Sequence, residues 1–253
     1  MDLRPVPTGV PGEFTADIPD GWQQGRGAYG GVVLGLLARA MAIPDRPLRS
    51  LTAAIPAPTP VGRVAIEVAP LRVGTGVSTL EARMRTPEGV TAHAVGVLGR
   101  PRGTGGWSPS PPPDVPGWDD LPTTPRLGFS PPFTQHWEYR LVGPPPFSGS
   151  APTVVGWQRA VNPGPGRDAG FLVAAADVWW PAAFSALSAP CGMATVSFAM
   201  QILVDPTEID PTQPLLHVGT AEVMAEGYAT DRRALWTASG RLVAINQQTF
   251  AAL

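Results

Sequence analysis

Apolar residues fall on every face of two short stretches, Gly31–Met41 (GVVLGLLARAM) and Phe171–Trp180 (FLVAAADVWW), and recur in strand-like runs after each. A helix apolar nearly all round has to be covered on most sides. Neither stretch approaches the ~18 residues that a membrane span needs, so both are predicted as core helices. Pro44 and Pro47 stop the first and Pro181 the second, because proline lacks a backbone donor and clashes with the preceding turn. Asp168 is placed to cap the second helix, which is expected to run to about Trp179. The runs that follow are Leu51–Ile55, Val64–Leu71, Val77–Arg85 and Val90–Leu98 in the first half. Their counterparts are Thr195–Val204, Leu215–Met224, Arg233–Thr237 and Leu242–Phe250. In Val77–Arg85, Leu80, Ala82 and Met84 alternate with Glu81, Arg83 and Arg85, the period of an antiparallel strand with one wet face. Glu88-Gly89 and Ser239-Gly240 are matching turn signals. An apolar helix followed by an antiparallel meander, made twice, predicts an α+β chain of two like modules, each a sheet wrapped around its helix.

Between the modules, residues 101–132 are rich in Pro, Gly, Ser and Thr, with Trp107 and Trp118 as the main apolar anchors. A stretch this long is read as a linker pinned across the surface by those tryptophans. Residues 1–30 read as irregular, and Phe133–Val142 as a resumed strand. The expected organisation is an N-terminal module over 1–100, the linker over 101–132 and a C-terminal module over 133–253. With 43% hydrophobic against 15% charged residues, disorder throughout is excluded. A net charge of −2 without a basic run gives no footprint for nucleic acid or an anionic membrane surface. All 18 residues of the Lys and Arg class are arginine, so Schiff-base and P-loop mechanisms have no lysine to carry them. Cys191 is alone and the first residues lack the apolar core of a signal peptide; a cytoplasmic setting is expected.

Only the second apolar helix carries an acid. Asp177 stands among Ala174, Ala175, Ala176, Val178 and Trp179, where an unpaired carboxylate is expensive to bury. Burial there raises its pKa toward that of a usable general base; a solvated position at the helix edge is the plainer alternative. Gly25–Gly30 matches G-x-G-x-x-G letter by letter, but the residues before it form a turn-rich loop, not the apolar strand a dinucleotide site needs. No G-x-S-x-G elbow is present. His93, His136 and His217 are dispersed, with no carboxylate at metal-ligand spacing, and no metal or redox cofactor is expected. His136 and His217 are read as ordinary strand residues. Arg26, Arg232 and Arg233 are candidates to meet a phosphate, but each is read first as solvated surface.

These residues resemble the TesB-type acyl-CoA thioesterases, a double-hotdog family. The resemblance rests on Tyr29-Gly30-Gly31 opening the first helix, Ser50-Leu51 entering its strand, and Ala176-Asp177 followed by Pro181. It continues in Ala194-Thr195 entering the second central strand, and in Gly240-Arg241-Leu242-Val243-Ala244 leading to Gln248. It implies hydrolysis of an acyl-CoA or acyl-carrier-protein thioester without a cofactor. Asp177, Thr195 and Gln248 would orient and activate a water, while Gly30 and Gly31 supply backbone amides to the oxyanion. Strand alternation puts Thr195 with Ser197, opposite Val196, Phe198 and Met200. Gln248 shares a face with Asn246, and a slip of one residue would put Gln247 in its place. The chain departs from the family at Val32, where many relatives have Gln, and in the bulk of Val178-Trp179-Trp180. That bulk is expected to reshape the acyl tunnel toward short, branched or aromatic groups. The alternatives are a non-catalytic acyl-CoA or acyl-carrier-protein binding module, and a hotdog hydratase or dehydratase, for which no His lies where the resemblance would need one. Fusing two hotdogs makes the usual pair within one chain; further pairing into a homo-oligomer is an expectation on family grounds alone.

Overall fold

The structure, a computed structural model, describes residues 3–103, 106, 111–164 and 166–253. The first half supplies β1 (Val6–Pro7), β2 (Glu13–Ile18), the two-residue strands β3 (Gln23–Gln24) and β4 (Gly27–Ala28), and helix α1 (Gly30–Ala40). It continues with β5 (Leu48–Ala54), β6 (Gly62–Val73), β7 (Val77–Thr86) and β8 (Gly89–Gly99). The second half supplies β9 (Trp137–Leu141), β10 (Thr153–Ala160), α2 (Ala169–Ala176) and the one-turn α3 (Ala183–Ala186). It ends with β11 (Met193–Ile202), β12 (Leu215–Ala225), β13 (Tyr228–Thr237) and β14 (Leu242–Ala252).

Among the described residues, all strands but β3 and β4 join one sheet in the order β1-β2-β6-β7-β8-β5-β11-β14-β13-β12-β10-β9. The order repeats itself about its centre. In β2-α1-β5-β6-β7-β8 the first strand lies beside the third and the last beside the second, and β10-α2-β11-β12-β13-β14 does the same. The halves meet where β5 and β11 pair antiparallel, with Leu51 opposite Met200 and Ala54 opposite Ser197. This is a double hotdog, two antiparallel sheets merged into one and wrapped around a pair of helices. Register follows burial: in β7, Leu80, Ala82 and Met84 face the core while Glu81, Arg83 and Arg85 do not, as the alternation predicts.

The helices lie antiparallel and very close. A Cβ on Gly35 would stand 2.8 Å from the Gly170 carbonyl oxygen, and one on Gly170 equally close to that of Gly35, so glycine on both sides permits the contact. At one end of the pair, Arg39 of α1 donates to Asp168 at 3.0 and 3.1 Å and to the Leu3 carbonyl at 2.7 Å. Asp168 caps α2 as expected, accepting from the Phe171 N–H at 3.0 Å. At the other end, the Tyr29 hydroxyl donates to the Ala174 carbonyl.

Several elements differ from the sequence reading. Helix α2 stops at Ala176, and Asp177 is its C-cap residue, outside the helical turns. Residues 133–136 belong to a 3-10 turn that opens at Pro132, so the strand begins only at Trp137. The stretch read as irregular contains β2, paired with β6 through Phe14 opposite Ile66. Strand β10 was not foreseen, and β13 begins upstream of Arg233, at Tyr228. Trp118 packs with Trp157, Leu216 and Trp236, and the Arg140 and Arg159 guanidinium groups lie 4.2 and 4.7 Å from its ring centre. Trp107 lies outside the described residues. Among the described residues no helix is long and apolar enough to cross a membrane.

Candidate active site

The end of the helix pair that Tyr29 opens is where polar groups from both modules converge. Asp177, held by the last turn of α2, is 7% exposed and faces the start of α1. A Cβ on Gly30 would stand 2.9 Å from the Asp177 Oδ2, and the Gly31 N–H acts to favour the ionised carboxylate. Glycine at position 30 therefore leaves room for the acid, and the free amides and dipole of the helix start favour its negative charge. Tyr29 shapes this entry: it stands at the N-cap, its ring fills the place a Cβ on Gly31 would take, and it stacks on Phe133 at 4.0 Å. Burial, and then the nearby Asp177, hold the Tyr29 hydroxyl well above its ordinary pKa, so it stays protonated as a donor.

From the sheet side comes Gln248, fully buried on β14, opposite Phe198 of β11 and Asp231 of β13. Thr195 donates its hydroxyl to Gln248 Oε1 at 3.2 Å, Gln248 Nε2 donates to Asn246 Oδ1 at 2.9 Å, and Asn246 Nδ2 to the Ala199 carbonyl at 2.8 Å. The amide of Gln248 is thereby oriented, and it helps to favour the ionised form of Asp177. Gln247 is exposed on the opposite face. Alternation alone misplaces Thr195. It pairs with Phe250 while Ser197 pairs with Thr249, so Val196 is the extra residue of a β-bulge that turns Thr195 inward beside Gln248. All five residues picked out by the resemblance, Gly30, Gly31, Asp177, Thr195 and Gln248, thus come together at one point.

Desolvation lifts the Asp177 pKa from 3.8 to about 6; Arg233, Gln248 and the Gly31 N–H hold it from rising further. The sequence reading missed Arg233 here and took it for surface. It is 3% exposed on β13, paired with the fully buried Asp231 at 3.0 Å, and it donates to the carbonyls of Ala176, Trp179 and Trp180. Alternation along a strand of known start would have turned positions 229, 231 and 233 inward, but the start at Tyr228 was not visible. Arg232, its neighbour, is exposed and bonded to Glu222, and Arg26 is exposed. His93 contacts Glu81 at 3.3 Å, and His136 stacks on Trp22 at 3.8 Å from the 3-10 turn, not from a strand. His217 is buried within β12. Among the described residues no group of three or more His, Cys, Asp or Glu could hold a metal ion.

Two hotdog modules sharing one sheet, with the buried Asp177 carboxylate where a helix of one ends and that of the other begins, define the class as double hotdog. Residues 18–99 match the acyl-CoA thioesterase N-terminal domain and residues 109–252 the acyl-CoA thioesterase C-terminal domain. The chain belongs to the acyl-CoA thioesterase family, a family of hydrolases. No curated protein sequence matches it. Among solved structures, it is similar to a conserved protein of unknown function with a hot dog fold from Alicyclobacillus acidocaldarius. That match has 26% identity and a TM-score of 0.90, covering 98% of this chain and 95% of the other. It is also similar to a putative thioesterase II from Thermobifida fusca YX, with 18% identity, TM-score 0.83 and coverage of 98% and 95%. The acyl-CoA thioesterase II TesB2 from Mycobacterium marinum shares the fold at 18% identity and TM-score 0.79, with coverage of 100% and 96%.

Proposed function

We propose that this chain hydrolyses an acyl thioester, carried by CoA or by a carrier protein, with Asp177 as general base and Thr195 and Gln248 holding the attacking water. The observation that carries the reading is the buried Asp177 carboxylate set against Gly30 across the seam. A carboxylate with a pKa of about 6 is ionised at neutral pH yet basic enough to accept a proton as water attacks. The water oxygen bonds to the carbonyl carbon, its proton passes to Asp177, and the carbonyl oxygen becomes negative. The Gly30 amide, at the positive end of α1, is the donor for that oxygen; the Gly31 amide already supports Asp177. Collapse breaks the carbon–sulfur bond, and the proton on Asp177 goes to the leaving thiolate, giving free acid and thiol. None of these steps draws on a metal or redox group.

Trp179 is the residue taken to limit the acyl group. Its ring lies directly on Gly156, where a Cβ would stand 2.5 Å from it, and edge-on to Tyr139 at 5.2 Å. This bulk, two residues past Asp177 in the chain, is what favours short, branched or aromatic acyl groups over long ones in this reading. Thiol release from acyl-CoAs of graded length and branching, run beside Asp177→Asn, tests both points. Turnover by the parent and loss of about a hundredfold or more in the variant is expected. Binding without turnover by the parent would instead identify a thioester-binding module, and equal turnover of short and very long chains would remove the pocket argument.

A further inference from the structure

The chain around Asp177 is held from below by one buried ion pair. Arg233 donates to the carbonyls of Ala176 at 3.4 Å and of Trp179 and Trp180 at 3.3 Å, and its side chain is 1% exposed. Asp231 accepts from Arg233 at 3.0 Å and from the Ala182 N–H at 2.8 Å. The pair therefore grips the residue before Asp177 and three after it. The last turn of a helix leaves carbonyls without partners, and the planar fork of arginine can satisfy several at once. As a source of stability such a pair is weak, because apolar residues of equal volume often do as well.

We propose that Asp231 and Arg233 are positioning residues of the thioesterase reaction: they fix the 176–182 turn so that Asp177 faces Gly30, and they set the guanidinium beneath that carboxylate. The proposal rests on Asp177 as general base. The groups facing Asp177 are the neutral Tyr29 hydroxyl and the Gly31 N–H from α1, the neutral Gln248 from β14, and Arg233 from β13, which carries Asp231 with it. Among these, Arg233 alone brings positive charge.

The test uses the full chain with Arg233→Met, Arg233→Lys and Asp231→Asn, each followed in kcat and KM against pH. Asp177 itself is titrated through its carboxyl carbon signal, assigned by comparison with Asp177→Asn. Arg233→Met should move the acid limb of kcat/KM and the carboxyl titration up by about one pH unit. Arg233→Lys should leave both where the parent has them but lower kcat, since an ammonium cannot hold three carbonyls in a plane. Asp231→Asn should move both down, because it leaves the cation unopposed beside Asp177. In each variant KM should change less than kcat. A pair that only supports the fold would lower activity in all three and displace the titration in none, and that result overturns the proposal. If Arg233→Met does not fold, the downward displacement in Asp231→Asn decides, and its absence is fatal. An inactive Asp177→Asn with unmoved titrations removes the role of the pair alone; an active Asp177→Asn removes the general-base reading beneath it.

Discussion

Asp177 serves chemistry at the expense of the fold. Its pKa is about 6 in the native chain against 3.8 for the free side chain, so between those values the folded state holds a proton that the unfolded state has released. Stability therefore falls as pH rises through that window, by a total on the order of 3 kcal/mol, and the deficit is constant above it. Asp177→Asn should accordingly melt at a higher temperature than the parent at pH 8 and at a similar one near pH 3.5, while hydrolysis is lost. Activity of the parent should rise with pH through about 6 as the carboxylate ionises. Gly30→Ala tests the space in front of it: the new methyl would lie 2.9 Å from Oδ2, so kcat should fall at least about tenfold with the fold retained, as read by circular dichroism. At this scale the sequence was legible where chemistry is unusual for its surroundings, as with an acid among alanines. It was not legible where geometry decides. The bulge at Val196 that turns Thr195 inward leaves no mark in residue types, and Arg233 looks like any strand arginine until the register of β13 is known.

The pairing of α1 with α2 depends on two glycines that intrinsic propensity would count as faults. Alanine at an exposed helix position gains about 1 kcal/mol over glycine. At Gly35 the sign should reverse, because the added carbon would press on the Gly170 carbonyl oxygen at 2.8 Å, backbone that cannot step aside. Gly35→Ala is expected to cost about 1–3 kcal/mol, measured as a lowered urea midpoint at unchanged slope. Helices α1 and α2 and nine of the strands, β9 among them with its start misplaced, could be read from apolar runs and alternation. Each miss has its own cause. Strand β10 has Gly156 at its centre because Trp179 lies there, so a requirement of packing removed the side chain that would have signalled a strand. Strand β2 buries only Ala16 and Ile18, too little apolar pattern to separate it from loop, and prolines 131 and 132 wind the start of the predicted 133–142 strand into a turn.

For the molecule as a whole, the doubled order of helix and strands was visible before any contact was known, because each module repeats one pattern of burial. How the two would join, through β5 and β11, was not, since edge-to-edge pairing runs through backbone groups that every strand carries. A second titration acts on global stability through His217, fully buried on β12. Burial, and then Arg233, hold its pKa well below 6.5, so below that pH the unfolded chain gains a proton the folded one refuses, and stability falls as pH drops. His217→Phe should flatten the decline in melting temperature between pH 6.5 and 4.5, and an unchanged slope would place the acid sensitivity elsewhere. The helix pair has one last consequence. Its two ends are alike in topology and unlike in content, Gly30 against Asp177 at one and Arg39 against Asp168 at the other. Two identical hotdogs in a symmetric dimer would have to carry the same groups at both ends; a single polypeptide is free to specify each separately. The working unit is then the whole chain, and a slowly hydrolysed thioester analogue should saturate at one equivalent per polypeptide in a calorimetric isotherm, with the second end closed by its own ion pair.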